Sequence, residues 1–319
     1  MTRGSVSARI QELKTKVMEL SPETMLTEGA EMSRLTTLRL GGPADLLAEP
    51  CNVDGLQTLL RESSRLELPV TLIGQGSDLL VRDGGIRGLV IRLAGRFRGM
   101  TVTGQRMTVL AGTSMSAAAN EAAANDLAGL AFASGIPGTV GGAAYMNAGA
   151  YGGEMKDVIT HVTACLPDGR TVAYSNEEMD FGYRKSKINQ QPEPIAITSV
   201  TVALTPADEE TVRATMREFS ARRREKQPLT LPSCGSTFKR PEGRFAGTLI
   251  EECGLKGCRV GGCSVSTLHA GFLVNDQQGS ACDYLSLIAQ VQKTVYEKTG
   301  VRLEPEVRIW GEDVCAKEI

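Results

Sequence analysis

Gly135-Ile136-Pro137-Gly138-Thr139-Val140-Gly141-Gly142-Ala143 is the stretch on which the reading of this sequence turns. Four glycines fall within eight positions, set among small apolar residues and followed by Asn147, Gly149 and Tyr151. Backbone without side chains lets a flat ligand lie directly against the chain. The surrounding segment, Leu127 to Gly153, has no charged residue over 27 positions, enough to span a bilayer. Its eight glycines, Pro137 and Asn147 interrupt any continuous apolar run, so it reads as a buried ligand loop and not as a membrane helix. A second cluster, Gly74-Gln75-Gly76-Ser77-Asp78, follows directly on the short apolar strand Pro69–Ile73. Successive N–H groups at such a turn make a nest for a pyrophosphate. Alone this turn is equally an ordinary strand end, since it is not a G-x-G-x-x-G motif. Two glycine clusters in one chain favour the ligand.

The rest of the composition is that of an ordinary globular protein. The 319 residues suggest about two domains. Apolar residues make up 41% and charged residues 23%, which excludes a disordered, collagenous or coiled-coil chain. With 35 Lys+Arg against 37 Asp+Glu the net charge is −2, so nothing draws the chain to nucleic acid or anionic lipid. Any bound phosphate must be held by a local site. The 35 glycines are 11% of the chain, against roughly 7% on average. Residues 1–20 carry Arg3, Arg9, Glu12, Lys14, Lys16 and Glu19 and no apolar core, so they are not a secretory signal. A cytoplasmic protein with eight free thiols is expected. Cys253, Cys258 and Cys263 stand five apart with His269 nearby, but no C-x-x-C pair exists, and no metal is expected.

Periodicity predicts a mixed α+β fold. Val6, Ile10, Leu13, Val17 and Leu20 recur at helical spacing. Helices are also expected over 52–64, 114–126 (with Thr113 or Ser114 as N-cap), 208–226, 246–253 and 280–299. Strands are expected at 69–73, 79–81, 88–93, 158–166, 170–174, 195–204, 259–264, 271–274 and 301–310, with a hairpin from 100–103 to 107–111. The composition changes near residue 206, where a charged helix begins. A third, distributed group holds residues suited to an anionic substrate: Tyr183-Arg184-Lys185, Gly235-Ser236-Thr237-Phe238-Lys239-Arg240-Pro241 and Glu304-Pro305-Glu306-Val307-Arg308. Spacing cannot bring these together, and each by itself is also an ordinary polar surface. There is no nucleophile elbow, Walker A loop or H-E-x-x-H. His161 and His269 are the only histidines, so histidine-centred catalysis is poorly supplied.

From about Leu35 to Trp310 the chain resembles the UDP-N-acetylenolpyruvoylglucosamine reductases, the MurB flavoenzymes. The motifs occur in order: Thr37-Leu38-Arg39-Leu40-Gly41-Gly42-Pro43-Ala44-Asp45, the Gly74–Asp78 turn, the Gly135–Ala143 loop, Tyr183-Arg184, Gly235–Pro241, His269-Ala270-Gly271-Phe272 and Leu303-Glu304-Pro305-Glu306-Val307-Arg308. The resemblance implies an N-terminal helix and lead-in over 1–33. It further implies a two-subdomain FAD-binding region of the vanillyl-alcohol-oxidase-like (PCMH-type) kind over 34–206 and an α+β substrate domain over 207–300. The terminal strand, 301–319, would return to the cofactor side. It implies reduction of an enolpyruvyl ether of UDP-N-acetylglucosamine to UDP-N-acetylmuramate, with non-covalent FAD and NADPH as hydride donor. The partner is then a UDP-sugar, with no nucleic acid or membrane, and the protein a monomer.

By motif position, Ser236 matches the family's proton donor, and Arg184 and Glu306 match its other active-site residues. Gly74, Gln75, Gly76, Ser77, Asp78, Gly135, Ile136, Pro137, Gly138, Val140, Gly141, Gly142, Asn147 and Gly149 fall to the cofactor. Lys226, Lys239, Arg240 and His269 fall to the substrate. Asp78 and Arg240 stand where many members have Asn. Arg184 and Ser236 are 52 residues apart, which resembles the shorter subclass without the tyrosine-bearing loop. On this view Glu306 helps only if protonated, or if it orients Arg184 or a water. Two other readings remain: a flavin oxidase of the same fold, and a non-catalytic nucleotide-sugar binder. Colour separates the second, because a binder without flavin is not yellow.

Overall fold

The computed structural model describes residues 3–313; Cys315 and the end of the expected 301–319 segment lie outside them. Contacts divide the chain into two compact units. The first comprises Met1–Glu28, Leu46–Gln75 and Gly88–Arg222; the second comprises Gly29–Asp45, Gly76–Arg87 and Arg223–Ile319.

The first unit has two cores. In one, helices α1 (Arg3–Leu20) and α2 (Val53–Arg65) bury Ile10, Leu13, Val17, Leu56, Leu59 and Leu60. Asn52 starts α2 by accepting the Gly55 N–H at 2.8 Å, an N-cap typically worth about 1 kcal/mol. These helices accompany a four-stranded sheet ordered Met25–Glu31, Pro43–Glu49, Ile86–Arg92 and Val70–Ile73, the last two parallel. The Met25–Glu31 strand has no counterpart in the sequence reading. It is exposed along most of its length, so no apolar alternation marks it.

The other core lies against an antiparallel five-stranded sheet ordered Thr171–Ser175, Ile159–Cys165, Ala196–Ala203, Arg106–Leu110 and Met100–Thr103. Helices α3 (Met115–Ala124) and α4 (Val140–Met146) cover it with Ala118, Ala119, Ala122, Val140, Ala143 and Ala144. Of the two expected N-caps of α3, Ser114 serves, accepting the Ala117 N–H at 3.2 Å. Helix α5 (Glu209–Lys226) adds Val212 and Met216 to this core. That packing is why contacts carry the first unit past the composition change at 206 to Arg222.

The second unit packs α6 (Ala246–Glu252) and α7 (Ala281–Thr299) on three short antiparallel strands, Arg259–Val260, Cys263–Val265 and Leu273–Asn275. The single strand expected over 259–264 is therefore two, turned at Gly261-Gly262. Helix α7 follows its sequence signals: Ser280 and Asp283 form a capping box, and Gly300 ends it at φ 72°. Asp83 adds a second cap, accepting the Ala281 and Cys282 N–H groups at 2.8 and 2.9 Å. The final strand is shorter than expected. Only Arg308–Trp310 is regular, and it runs parallel to Leu79–Val81 within this unit.

Candidate active site

The expected site residues divide between the two units. In the first lies the glycine loop. It is a tight turn (Ala131–Gly135), then Gly138 at φ 133°, an extended Thr139, and α4. Met115 donates to the Gly138 carbonyl at 3.1 Å, Val140 to Thr113 at 2.8 Å and Gly141 to Ala111 at 2.9 Å. Thr139 caps α4 by accepting the Gly142 N–H at 3.3 Å. The loop thus uses much of its bare backbone on the protein itself. A Cβ on Gly141 would stand 2.6 Å from the Ala111 Cβ, and one on Gly74 only 2.5 Å from the Thr139 hydroxyl. Gly149 is packed on Gly153 in the same way, and the Val140 side chain is in the core. Among the described residues Gly142 alone in the run 141–142 is open. It is exposed, and its Cβ would meet nothing closer than the Thr139 hydroxyl at 3.5 Å. Ile136 and Gly135 are half-buried and Pro137 exposed.

Asn147, expected at the cofactor, is only 1% exposed and is committed to the protein. It ends α4 in the left-handed conformation, φ 45°. Its Nδ2 donates to Glu154 Oε2 at 2.8 Å and to the Gly182 carbonyl at 3.0 Å, and its Oδ1 accepts the Lys156 N–H at 2.9 Å. Burial disfavours the Glu154 charge, but the hydrogen bonds from Lys156 and Asn147, with the charges of Lys156 and Arg184, outweigh it and lower its pKa.

Gly182 begins the turn that presents Arg184. Gly182 and Lys185 exchange backbone hydrogen bonds at 3.1 Å each, with Tyr183 and Arg184 at the tip. Arg184 sits at φ 55°, a conformation that costs a non-glycine residue about 1–3 kcal/mol and concentrates at functional sites. Asn189 holds it: its Nδ2 donates to the Arg184 carbonyl at 3.2 Å and to the Tyr145 carbonyl at 2.8 Å. Ser186 also donates to Tyr145, at 2.7 Å. The Arg184 guanidinium lies 5.1 Å from the Tyr183 ring centroid, a cation–π distance. Sequence reasoning found Arg184 but missed Asn189. The only local signal was Ser186-x-x-Asn189, which is common on surfaces.

In the second unit, Ser236 and Glu306 are joined through backbone. The Thr237 carbonyl accepts the Glu306 N–H at 2.8 Å, and Lys239 donates to the Glu304 carbonyl at 2.8 Å, so residues 237–239 run beside 304–306. Gly235 turns the chain at φ 80°, a conformation only glycine adopts without strain. Cys234 and Thr237 point into the core while Ser236 and Glu306 stay half-buried. The Gly76–Asp78 part of the first turn belongs here too. Thr37 donates its N–H to the Gly76 carbonyl at 3.1 Å and its hydroxyl to the Ser233 carbonyl at 2.7 Å; Arg308 donates to the Asp78 carbonyl at 3.2 Å. Ser77 and Asp78 are half-buried and Gln75, in the first unit, is exposed.

His269 lies against Ser236 across Gly271. A Cβ at Gly271 would be 2.9 Å from His269 Cε1 and 3.3 Å from the Ser236 Oγ. His269 Nδ1 accepts the Gly271 N–H at 3.1 Å, and burial lowers the His269 pKa, so it is a neutral ring with its proton on Nε2. The expected substrate cations differ in situation. Lys239 pairs with Glu304, and Arg240 stacks over the Phe245 ring at 4.6 Å. Lys226 is exposed at the end of α5.

Seven described cysteines carry free thiols, and no group of three or more His, Cys, Asp or Glu is gathered as a metal site among the described residues. Burial pushes the Cys234 thiol up to about 12, so it is not a thiolate.

Residues 227–310 match the family profile of the UDP-N-acetylenolpyruvoylglucosamine reductase C-terminal domain, and residues 44–175 match an FAD binding domain. The chain is 49% identical to the UDP-N-acetylenolpyruvoylglucosamine reductase of Limosilactobacillus fermentum, over 91% of this chain and 96% of that one. The chain belongs to the UDP-N-acetylenolpyruvoylglucosamine reductase family. A Bacillus cereus member is 43% identical over 95% of this chain and 99% of its own. The crystal structure of a member from Thermus caldophilus superposes with a TM-score of 0.77 at 37% identity, covering 91% of this chain and 99% of that one. The α+β architecture is accordingly a PCMH-type FAD-binding region followed by the family's C-terminal domain. No helix among the described residues is long and apolar enough to cross a membrane.

Proposed function

We propose that this protein reduces UDP-N-acetyl-3-O-(1-carboxyvinyl)glucosamine to UDP-N-acetylmuramate in peptidoglycan precursor synthesis, with FAD as cofactor and NADPH as reductant. The observation that carries the reading is membership of the family along nine-tenths of the chain. Ser236, Glu306 and Arg184 are assigned the active-site roles in this reading. The open backbone at Gly142 beside the Thr139 hydroxyl fits a cofactor that lies close to the chain. The Gly74–Asp78 turn, Gly135–Gly142 and Gly149 are assigned to holding it. Held there, FAD would supply the hydride transfer from NADPH to the terminal carbon of the enolpyruvyl group.

An enol ether accepts hydride poorly unless its carboxylate absorbs the charge left behind. Donors and positive charge beside that carboxylate stabilise this state more than the ground state. Arg184 suits the task, because its guanidinium is permanently charged and forks onto carboxylates. The left-handed backbone of Arg184, clamped by Asn189, supports a residue held for a purpose. Ser236 then gives its hydroxyl proton to the carbon that bears the carboxylate. A hydroxyl is a weak acid, but the carbanion is a strong base. Glu306, tied to the neighbour of Ser236, orients a water or, in its acid form, donates to the carboxylate. Lys226, Lys239, Arg240 and His269 are assigned to the substrate. The enzyme acts as a monomer in the cytoplasm, where its nucleotide-sugar substrate and NADPH are found. Residues 34–206 form the cofactor region and 207–300 the substrate region in this proposal.

The test separates two half-reactions by flavin absorbance in stopped flow. NADPH should bleach the flavin of the wild type and of Ser236→Ala at similar rates. Reoxidation by the enolpyruvyl substrate should be slower in Ser236→Ala by about 10²–10⁴-fold, the loss typical of a missing general acid. Ser236→Cys should recover part of the rate. A colourless protein that takes up no FAD, or a Ser236→Ala defect confined to the NADPH step, would overturn the reading.

A further inference from the structure

Both residues that point inward around Ser236 meet the same hydroxyl. Thr237 Oγ1 is 3.0 Å and Cys234 Sγ 3.1 Å from the Tyr284 hydroxyl on α7. Thr237 Oγ1 also accepts the Leu273 N–H at 3.2 Å, and the Tyr284 hydroxyl reaches the Leu273 carbonyl at 3.4 Å. Thr237 and Tyr284 are 0% exposed and Cys234 3%. One assignment of protons satisfies every group. Leu273 N–H donates to Thr237, Thr237 to Tyr284, and Tyr284 to the Leu273 carbonyl, with the Cys234 thiol donating to the phenol oxygen. Burial raises the Tyr284 pKa well above its ordinary value, so the phenol keeps its proton.

Packing alone does not explain a phenol here. The surrounding core is made of Leu249, Ile250, Leu287, Ile288 and Val291, where a phenylalanine would fill the same volume with no polar group to satisfy. The hydroxyl is placed where this core meets the Ser236 turn. Thr237 is also the residue through which that turn is tied outward. Its N–H donates to the Gly271 carbonyl at 2.9 Å and its carbonyl accepts the Glu306 N–H. Fixing the Thr237 side chain therefore fixes the backbone that carries the Ser236 hydroxyl on one side and pairs with Glu306 on the other.

We infer that Tyr284 is a positioning residue for the reaction: through Thr237 it holds the Ser236 hydroxyl in place for proton delivery. The inference rests on the functional reading above. Misplacing a reacting group by 1 Å costs about a hundredfold in rate, so a loosened turn that shifts by half as much should cost about tenfold.

The test uses the FAD-loaded enzyme well below its melting temperature. Tyr284→Phe should be reduced by NADPH at the wild-type rate and reoxidised by the enolpyruvyl substrate about tenfold more slowly. The substrate concentration at half-saturation should stay unchanged, and the solvent deuterium isotope effect on reoxidation should rise as proton delivery becomes limiting. Thr237→Val, which removes the other hydroxyl of the pair, should give the same split, and Thr237→Ser should restore the rate. Thr237→Val carries the test if Tyr284→Phe does not fold. Equal slowing of both half-reactions, or wild-type reoxidation in a folded variant, overturns the inference. Failure of the wild-type flavin to be reoxidised by substrate overturns the functional reading, and this inference with it.

Discussion

Gly271→Ala adds one methyl group at the point where His269 and Ser236 face each other. The new Cβ would stand 2.9 Å from His269 Cε1, 3.1 Å from its Nδ1 and 3.3 Å from the Ser236 Oγ. Gly271 is not among the residues with positive φ, so the backbone itself accepts alanine. The strain lies in the contacts. The imidazole must retreat by several tenths of an ångström, while it packs against Phe272 at a centroid distance of 5.0 Å. Overpacking of this kind costs about 1–3 kcal/mol. One methyl group against a half-buried ring belongs at the lower end, about 1–2 kcal/mol, and the stiffer alanine backbone in the unfolded chain returns some tenths of that. The variant should therefore fold, with its melting temperature lowered by several degrees. The Ser236 hydroxyl, crowded at 3.3 Å, must rotate or move by a few tenths of an ångström. Scaled from about a hundredfold per ångström, reoxidation by substrate should slow about 3- to 10-fold, with NADPH reduction unchanged. Thermal melts and stopped-flow absorbance measure both quantities. Wild-type stability together with wild-type reoxidation would mean that Gly271 does not set the position of Ser236.

Three further outcomes follow from particular contacts. Gly142→Ala meets only the Thr139 hydroxyl at 3.5 Å, so it should keep the fold and lose flavin affinity; full flavin occupancy after dialysis would move the cofactor away from α4. Gly141 is unsuitable for the same test, because its Cβ would strike Ala111 at 2.6 Å and damage the first unit directly. Cys234→Ala removes a thiol held at about 12 and should keep most activity, while a loss of a hundredfold, about 2.7 kcal/mol of barrier, would make the thiol a participant. Burial depresses the His269 pKa in the folded state, so the unfolded chain binds the proton more readily. Its contribution to stability is whole above about pH 6.5 and is lost as pH falls from there through the folded value. Urea unfolding between pH 7.5 and 5 should show less loss in His269→Asn, whose Oδ1 can still accept the Gly271 N–H; equal slopes in both proteins would refute this.

What the sequence made legible was whatever local chemistry decides. Ser280 and Asp283 at one end and Gly300 at the other bound α7 closely, because caps act within a few residues. Helix α4 was not legible, since Gly141 and Gly142 in its first turn weaken helix propensity. It forms because Thr139 caps it and Val140, Ala143 and Ala144 are buried. The expected strand over 301–310 shrank to Arg308–Trp310 because Pro305 has no N–H to give a ladder, and residues 304–306 pair instead with 237–239. The site divides in the same way. Ser236, Arg184 and Glu306 stand inside motifs that the resemblance makes readable. The groups that hold them do so from far along the chain: Asn147 reaches Gly182 across 35 residues, and Tyr284 reaches Thr237 across 47. Asn147 is among the residues that the resemblance gives to the cofactor. Its burial and its bonds to Gly182 and Glu154 give it the task of bracing the Arg184 turn. Nothing local assigns a left-handed backbone to an arginine. Arg184 holds φ 55° because a two-residue tip between Gly182 and Lys185 demands it, and because Asn189 and Asn147 secure that tip on both sides.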